Sequence, residues 1–124
     1  MEFKEKKSIY VQIADYICEN ILKGKWSPGD RIPSVREFAV EIEVNPNTVM
    51  RSYSHLQEEE IIFNKRGIGY FVSEDSVEKI MNVKKDEFVK NELPYFFKVI
   101  DMLNIDFESL KLMYEDYKKG GAAV

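Results

Sequence analysis

The sequence contains one cysteine and one histidine among 124 residues, and each scarcity closes a class of function. Cys18 alone can form no intramolecular disulfide and no thiolate-rich zinc site, and it fits a reducing compartment, by default the cytoplasm. No metal-ligand spacing occurs, and no nucleophile, base and orienting group come together, so an enzyme is the most distant reading. No catalytic residue, metal or cofactor is expected. An excess of basic charge is missing too. Eighteen Lys and Arg against 22 Asp and Glu leave a net charge of -4, which offers no whole-molecule grip on nucleic acid, so any DNA function must come from local pattern. No apolar run approaches the roughly 20 residues of a membrane span. Met1 to Lys7 is charged, with no hydrophobic stretch and cleavage site behind it. The expectation is a protein that is neither secreted nor in a membrane.

What is present, 44% hydrophobic and 32% charged residues, suits a folded soluble chain with one core or a small core and an appendage. Charge does not divide the chain, but turn residues do. Gly24, Pro28, Gly29, Pro33, Pro46, Gly67 and Gly69 punctuate the first 72 residues, after which only Pro94 interrupts before Gly120 and Gly121. The reading is a compact mixed domain over 8–73, a helical region over 75–119 and a frayed tail over 120–124.

Ser8 is placed to cap a first helix bearing Ile13, Ile17 and Ile21, which Gly24 ends. Ser34 and Glu37 form a capping box opening a second helix, whose buried face is Val35, Phe38, Ala39 and Ile42. Asn45 as N-cap and Pro46 at the first helical position start a third helix that runs to about Glu59. Its period turns Val49, Ser52, Tyr53 and Leu56 inward and Asn47, Thr48, Arg51 and His55 outward. Ile61 to Asn64 and Ile68 to Val72 then read as short strands around Lys65-Arg66-Gly67, a hairpin with a basic tip. Three helices and a hairpin make a winged helix-turn-helix. The fold class is mostly α with a small β-hairpin, followed by a short helical dimerisation extension.

A DNA reader of this kind presents the start of one helix to base edges in the major groove. Asn pairs with adenine, Arg with guanine, and the Thr methyl meets the thymine methyl. Asn47, Thr48 and Arg51 supply all three on one side of the third helix. Early amides of the second and third helices, beside Ser34 and Asn45, suit phosphate, and Arg31 and Arg36 add charge-assisted pairs. Lys65 and Arg66 fit the neighbouring minor groove or its phosphates.

The run GDRIPSVREFAVEIEVNPNTVMRSYSHLQEEEIIFNKRGIGYFV, with IYVQIADYICENILKGKWSPGD before it, resembles the GntR family of bacterial transcription regulators over about residues 9–72. The PGDRIPSVREFA entry, the VNPNTV entry and the RGIGYFV wing carry the likeness. The resemblance implies DNA contact by Arg36, wing glycines at Gly67 and Gly69, and a contact-bearing stretch containing Asn45, Asn47, Thr48 and Arg51; Tyr53 is included in the contact set. It implies a palindromic operator as partner, with the recognition helix in the major groove and the wing Lys65 to Gly69 at the minor groove. Pro46 and Met50 stand where many relatives place basic contacts, which shifts readout onto Asn47 and Arg51. Glu60 replaces the glycine that commonly ends the recognition helix, so that end must cap differently and face away from phosphate.

The remaining 50 or so residues are too few for the larger effector domains of other branches, and the short helical part resembles the YtrA branch. Asp75 or Ser76 caps one helix, the chain bends or restarts near Leu93-Pro94, and Asp106 caps the last helix. Seven of the 16 aromatic residues lie here, more apolar surface than two or three helices bury among themselves. Phe88, Phe96, Phe97, Ile100, Leu103, Leu110 and Tyr114 are therefore the expected interface of a homodimer, weighed against the lining of an unidentified effector pocket.

Blander readings stand beside these. His55 is a phosphate contact or plain surface, Cys18 a buried small hydrophobe, Glu58 to Glu60 a solvated face, and Lys4 to Lys7 a disordered segment or an arm touching DNA. Arg36 and Arg51 could each pair with a neighbouring Glu. The functional reading is a homodimeric DNA-binding regulator, a repressor; the alternative, suggested by the acidic pI of about 5.1, is a winged-helix module that binds protein and not DNA.

Overall fold

The computed structural model describes residues 7–120. Of the segment Lys4 to Lys7 only Lys7 is described, and of the tail 120–124 only Gly120; the rest lie outside the described residues. The chain forms two compact units, residues 1–83 and 84–124.

In the first unit, α1 (Ile9–Leu22), α2 (Val35–Ile42) and α3 (Pro46–Glu58) precede an antiparallel hairpin of β1 (Ile62–Lys65) and β2 (Gly69–Val72). The α1 stripe Ile13, Ile17 and Ile21 meets Phe38 of α2, Val49, Tyr53 and Leu56 of α3, and Ile62 and Val72 of the hairpin in one core. Two caps are as expected from sequence: Ser34 and Glu37 close a reciprocal box, and Asn45 Oδ1 accepts the Asn47 amide at 2.7 Å. Ser8 holds the N-cap position of α1, but its hydroxyl makes no capping bond; its carbonyl accepts the Val11 and Gln12 amides instead.

The strands register one residue later than the apolar runs suggest, pairing Ile62 with Val72 and Lys65 with Gly69. The Ile61 amide is taken by the Leu56 carbonyl at the end of α3, and the Ile68 amide closes the turn onto Lys65. A third extended segment joins the hairpin: Gly29 donates to the Val72 carbonyl, Ile32 to that of Tyr70, and Arg31 bridges to Phe71. The wing is thus tied to the entry of α2.

Just beyond α3, Glu60 adopts the left-handed conformation at φ 60° where glycine carries no steric cost. Lys79 of α4 (Ser76–Glu87) compensates by donating to both the Glu60 carbonyl and its carboxylate, at 3.4 and 3.1 Å. Hydrogen bonding to Glu60 holds the Lys79 ammonium above its ordinary pKa. Glu59 meanwhile lies 3.6 Å from His55. The run 58–60 is thus not simply a solvated face. Ile80 and Ser76, at the start of α4, are buried in the first unit.

The second unit contains a π-helical turn (Phe88–Glu92), α5 (Leu93–Met102) and α6 (Phe107–Lys118). The expected interruption near Pro94 takes the form of that π turn, in which Leu93 donates to Phe88. In a regular helix the proline ring would clash with the carbonyl four residues earlier; widening the preceding turn relieves it. Asp106 caps α6 through the Ser109 amide at 2.8 Å, as its position predicts. None of the residues in the π turn, α5 or α6 is buried.

Candidate nucleic-acid interface

Helix α3 begins with exposed Asn47, half-buried Thr48 and exposed Arg51 on the side opposite Val49, Ser52 and Tyr53, all three of which are fully buried. The Asn45 side chain, an expected contact, is occupied in capping the helix start. The Asn47 hydrogen bond runs through its backbone amide, which leaves its carboxamide projecting from the first turn. Among the described residues Arg51 makes no salt bridge to a carboxylate. Its guanidinium carbon lies 4.1 Å from the centroid of the Tyr10 ring.

Arg31, Ser34 and Arg36 come together around an open groove of about 470 Å³, with Glu37 and Val40 completing its wall. The capping box consumes the Ser34 amide, so the first-turn amides outside it, those of Val35 and Arg36, are the ones placed for an anion. The Glu37 carboxyl is held below the usual carboxylate range, chiefly by the Ser34 amide and hydroxyl and with help from Arg31. The lowered value favours the ionised form that the cap requires.

Arg31 reaches the wing. Its Nε donates to the Ile68 carbonyl at 3.2 Å and crosses directly over Gly69. The residue sits at φ 141°, which favours glycine, and a Cβ there would stand 2.6 Å from that Nε, so a side chain at this position would push Arg31 aside. Gly69→Ala is expected to cost about 1–3 kcal/mol and to displace Arg31 from the wing; urea unfolding gives the first quantity, and loss of the Arg31 Nε–H to Ile68 contact in the variant's structure gives the second.

At the tip, Gly67 is at φ 78° and Arg66 is exposed. Lys65 is held with its ammonium 4.6 Å from the Phe71 ring, itself stacked on Phe63. Two hairpin aromatics thus stiffen a basic finger.

Tyr53 corrects the expected contact set. It is fully buried, its ring packs edge-on against Tyr70 at 4.9 Å, and its hydroxyl donates to the Pro33 carbonyl at 2.6 Å. Burial pushes its phenol pKa well up. In this position it fixes α3 against the entry of α2. Sequence period had already turned it inward, and that signal outweighs its place in the contact-bearing stretch.

Sequence reasoning missed Tyr10 and Phe71, the rings under Arg51 and Lys65, because nothing in local spacing pairs α1 with α3 or the two strands with each other's cations. Among the described residues no group of His, Cys, Asp and Glu is disposed to hold a metal ion, and no helix is long and apolar enough to cross a membrane.

In the second unit, Phe96, Leu110 and Tyr114 line a groove of about 460 Å³ with Phe107, Lys111 and Met113. Of the remaining expected interface residues, Phe88, Phe97 and Leu103 are exposed and Ile100 half-buried.

A helix-turn-helix whose second helix offers a polar, hydrogen-bonding first turn, flanked by a basic hairpin, is the winged arrangement found in DNA-binding transcriptional regulators. Comparison with known proteins specifies which kind. Residues 9–72 match the model of the gntR family of bacterial regulatory proteins, and the chain belongs to that family. It is 35% identical over 120 residues to an uncharacterised helix-turn-helix regulator, YhcF of Bacillus subtilis, covering 97% of this chain and 98% of that protein. It is 37% identical over 102 residues to the repressor YtrA of the same species, covering 82% and 78%. Among solved structures, a GntR-family regulator from Bacteroides thetaiotaomicron superposes with a TM-score of 0.82 at 44% identity, over 93% of this chain and 100% of that one. The chain is therefore similar to short YhcF- and YtrA-like members over nearly its whole length.

Proposed function

We propose that the chain is a homodimeric repressor that reads a palindromic operator, with α3 in the major groove and the wing Lys65 to Gly69 at the minor groove. The observation that carries the reading is the outward face of α3. Asn47, Thr48 and Arg51 project from a helix start fixed by the Asn45 cap and Pro46, while the opposite side is locked in the core. Arg31, Ser34 and Arg36 supply the phosphate grip beside it. The repressor assignment rests on likeness to YtrA, which is a repressor.

Dimerisation is supported by the second unit. Phe97, Leu103 and Tyr114 are each more than half exposed, and none of the residues in its π turn, α5 or α6 is buried. A second copy, related by a two-fold axis, covers such a surface and sets two recognition helices about one DNA turn, roughly 10 base pairs, apart.

Arg51→Ala is expected to weaken operator binding by about 1–3 kcal/mol per lost bidentate pair and to relax preference at one position in each half-site. Titration against a set of singly substituted operators measures both. Equal binding to every operator variant by mutant and wild type would remove Arg51 from the readout. Absence of any shift of the chain's own upstream DNA at low salt, with a folded dimer, would favour the protein-binding alternative.

A further inference from the structure

We propose that Tyr10, on α1, is the positioning residue for Arg51 and thereby a determinant of operator specificity; the inference rests on the reading of α3 as the recognition helix. Arg51 lies on α3 with its guanidinium carbon 4.1 Å from the Tyr10 ring centroid. Contact at that distance with a ring face is a cation–π pair. Its chemical consequence differs from that of a salt bridge. A carboxylate would hold the guanidinium by consuming its N–H donors, whereas the ring face offers no acceptor oxygen. The in-plane donors that fork onto guanine O6 and N7 stay available.

The ring is itself fixed from α3. Ser52, the residue after Arg51 and wholly buried, donates its hydroxyl to the Tyr10 carbonyl at 2.7 Å. His55, one turn beyond Arg51, presents an edge contact to the same ring at 5.9 Å between centroids and 79° between planes. Tyr10 thus contacts Arg51 and His55, one turn apart on α3, and its backbone is clamped by the buried Ser52. An arginine with many open rotamers is confined before DNA arrives, which lowers the conformational freedom lost on binding. The clamp uses the Tyr10 backbone carbonyl, so changing the side chain removes the ring face and keeps the α1 to α3 hydrogen bond.

The test uses the full chain. Wild-type protein selects its site from a random duplex pool, and each position of the selected half-site is then substituted singly. Affinities are measured for wild type, Tyr10→Phe, Tyr10→Leu and Arg51→Ala. Tyr10→Phe is expected to keep wild-type discrimination. Tyr10→Leu is expected to lose roughly two- to fivefold in discrimination per half-site, only at the position where Arg51→Ala loses it. The salt dependence of binding stays as in wild type, because phosphate contacts are untouched. In the Arg51→Ala background, Tyr10→Leu has no further effect. Tyr10→Gln, which also lacks a ring face, replaces the leucine variant if that variant does not fold. The inference is overturned if a folded ringless variant keeps full discrimination at that position, or loses affinity equally at every position. It is also overturned if the ringless variant still weakens discrimination without Arg51. If Arg51→Ala itself leaves every position unchanged, the recognition-helix reading falls first, and the Tyr10 role with it.

Discussion

Replacing Tyr53 by alanine is expected to destabilise the winged domain by about 3–5 kcal/mol, the range for truncating a large buried aromatic side chain. Tyr53 is fully buried between Phe38 and Tyr70, and its hydroxyl anchors the Pro33 carbonyl at 2.6 Å. The loss is therefore packing from both sides plus an acceptor left without its donor. Tyr53→Phe separates the two effects. It keeps the ring and removes only the hydrogen bond, for about 1 kcal/mol. The pair also decides between a structural and a DNA-contacting role. With a structural role, Tyr53→Phe shows a lower midpoint in urea and the wild-type order of preference among operator variants. A change in that order at unaltered stability would return Tyr53 to the interface.

Phe97→Glu carries the second large effect. The ring is half exposed and lies 6.2 Å from that of Phe96, so a charge here leaves the protomer fold intact while spoiling an apolar surface. Burying that carboxylate against a second copy without a partner is costly, and sedimentation is expected to show a monomer at concentrations where the wild type is dimeric. Operator affinity is then expected to fall by about 10²–10⁴-fold, the advantage conferred by linking two binding heads. A variant that remains dimeric would place the interface elsewhere on the chain.

Helix starts were the most legible features of the sequence, because each is written in a few adjacent residues. Ser34 with Glu37, Asn45 with Pro46, and Asp106 act locally, and each caps where its spacing predicts. Segments whose ends depend on distant groups were harder to place. The strands shift by one residue because Leu56 and Lys65 claim the Ile61 and Ile68 amides. Ile80 joins the first core from the far side of the hairpin in sequence.

The candidate site divides in the same way. The outward set Asn47, Thr48 and Arg51 follows from one helical period, and the arginines of the α2 entry from a motif. Phe71 beneath Lys65, Arg31 across Gly69 and Lys79 on Glu60 have no signature in the local run.

The sequence by itself determined the order of elements, the helix caps, the family resemblance and which face of α3 looks outward, since all are set by short-range spacing. Tertiary structure alone decided that the Tyr53 hydroxyl meets the Pro33 carbonyl and that Arg51 rests on a ring from another helix. The physical reason is that such contacts depend on which surfaces meet, and residues 10 and 51 become neighbours only after α1 docks on α3.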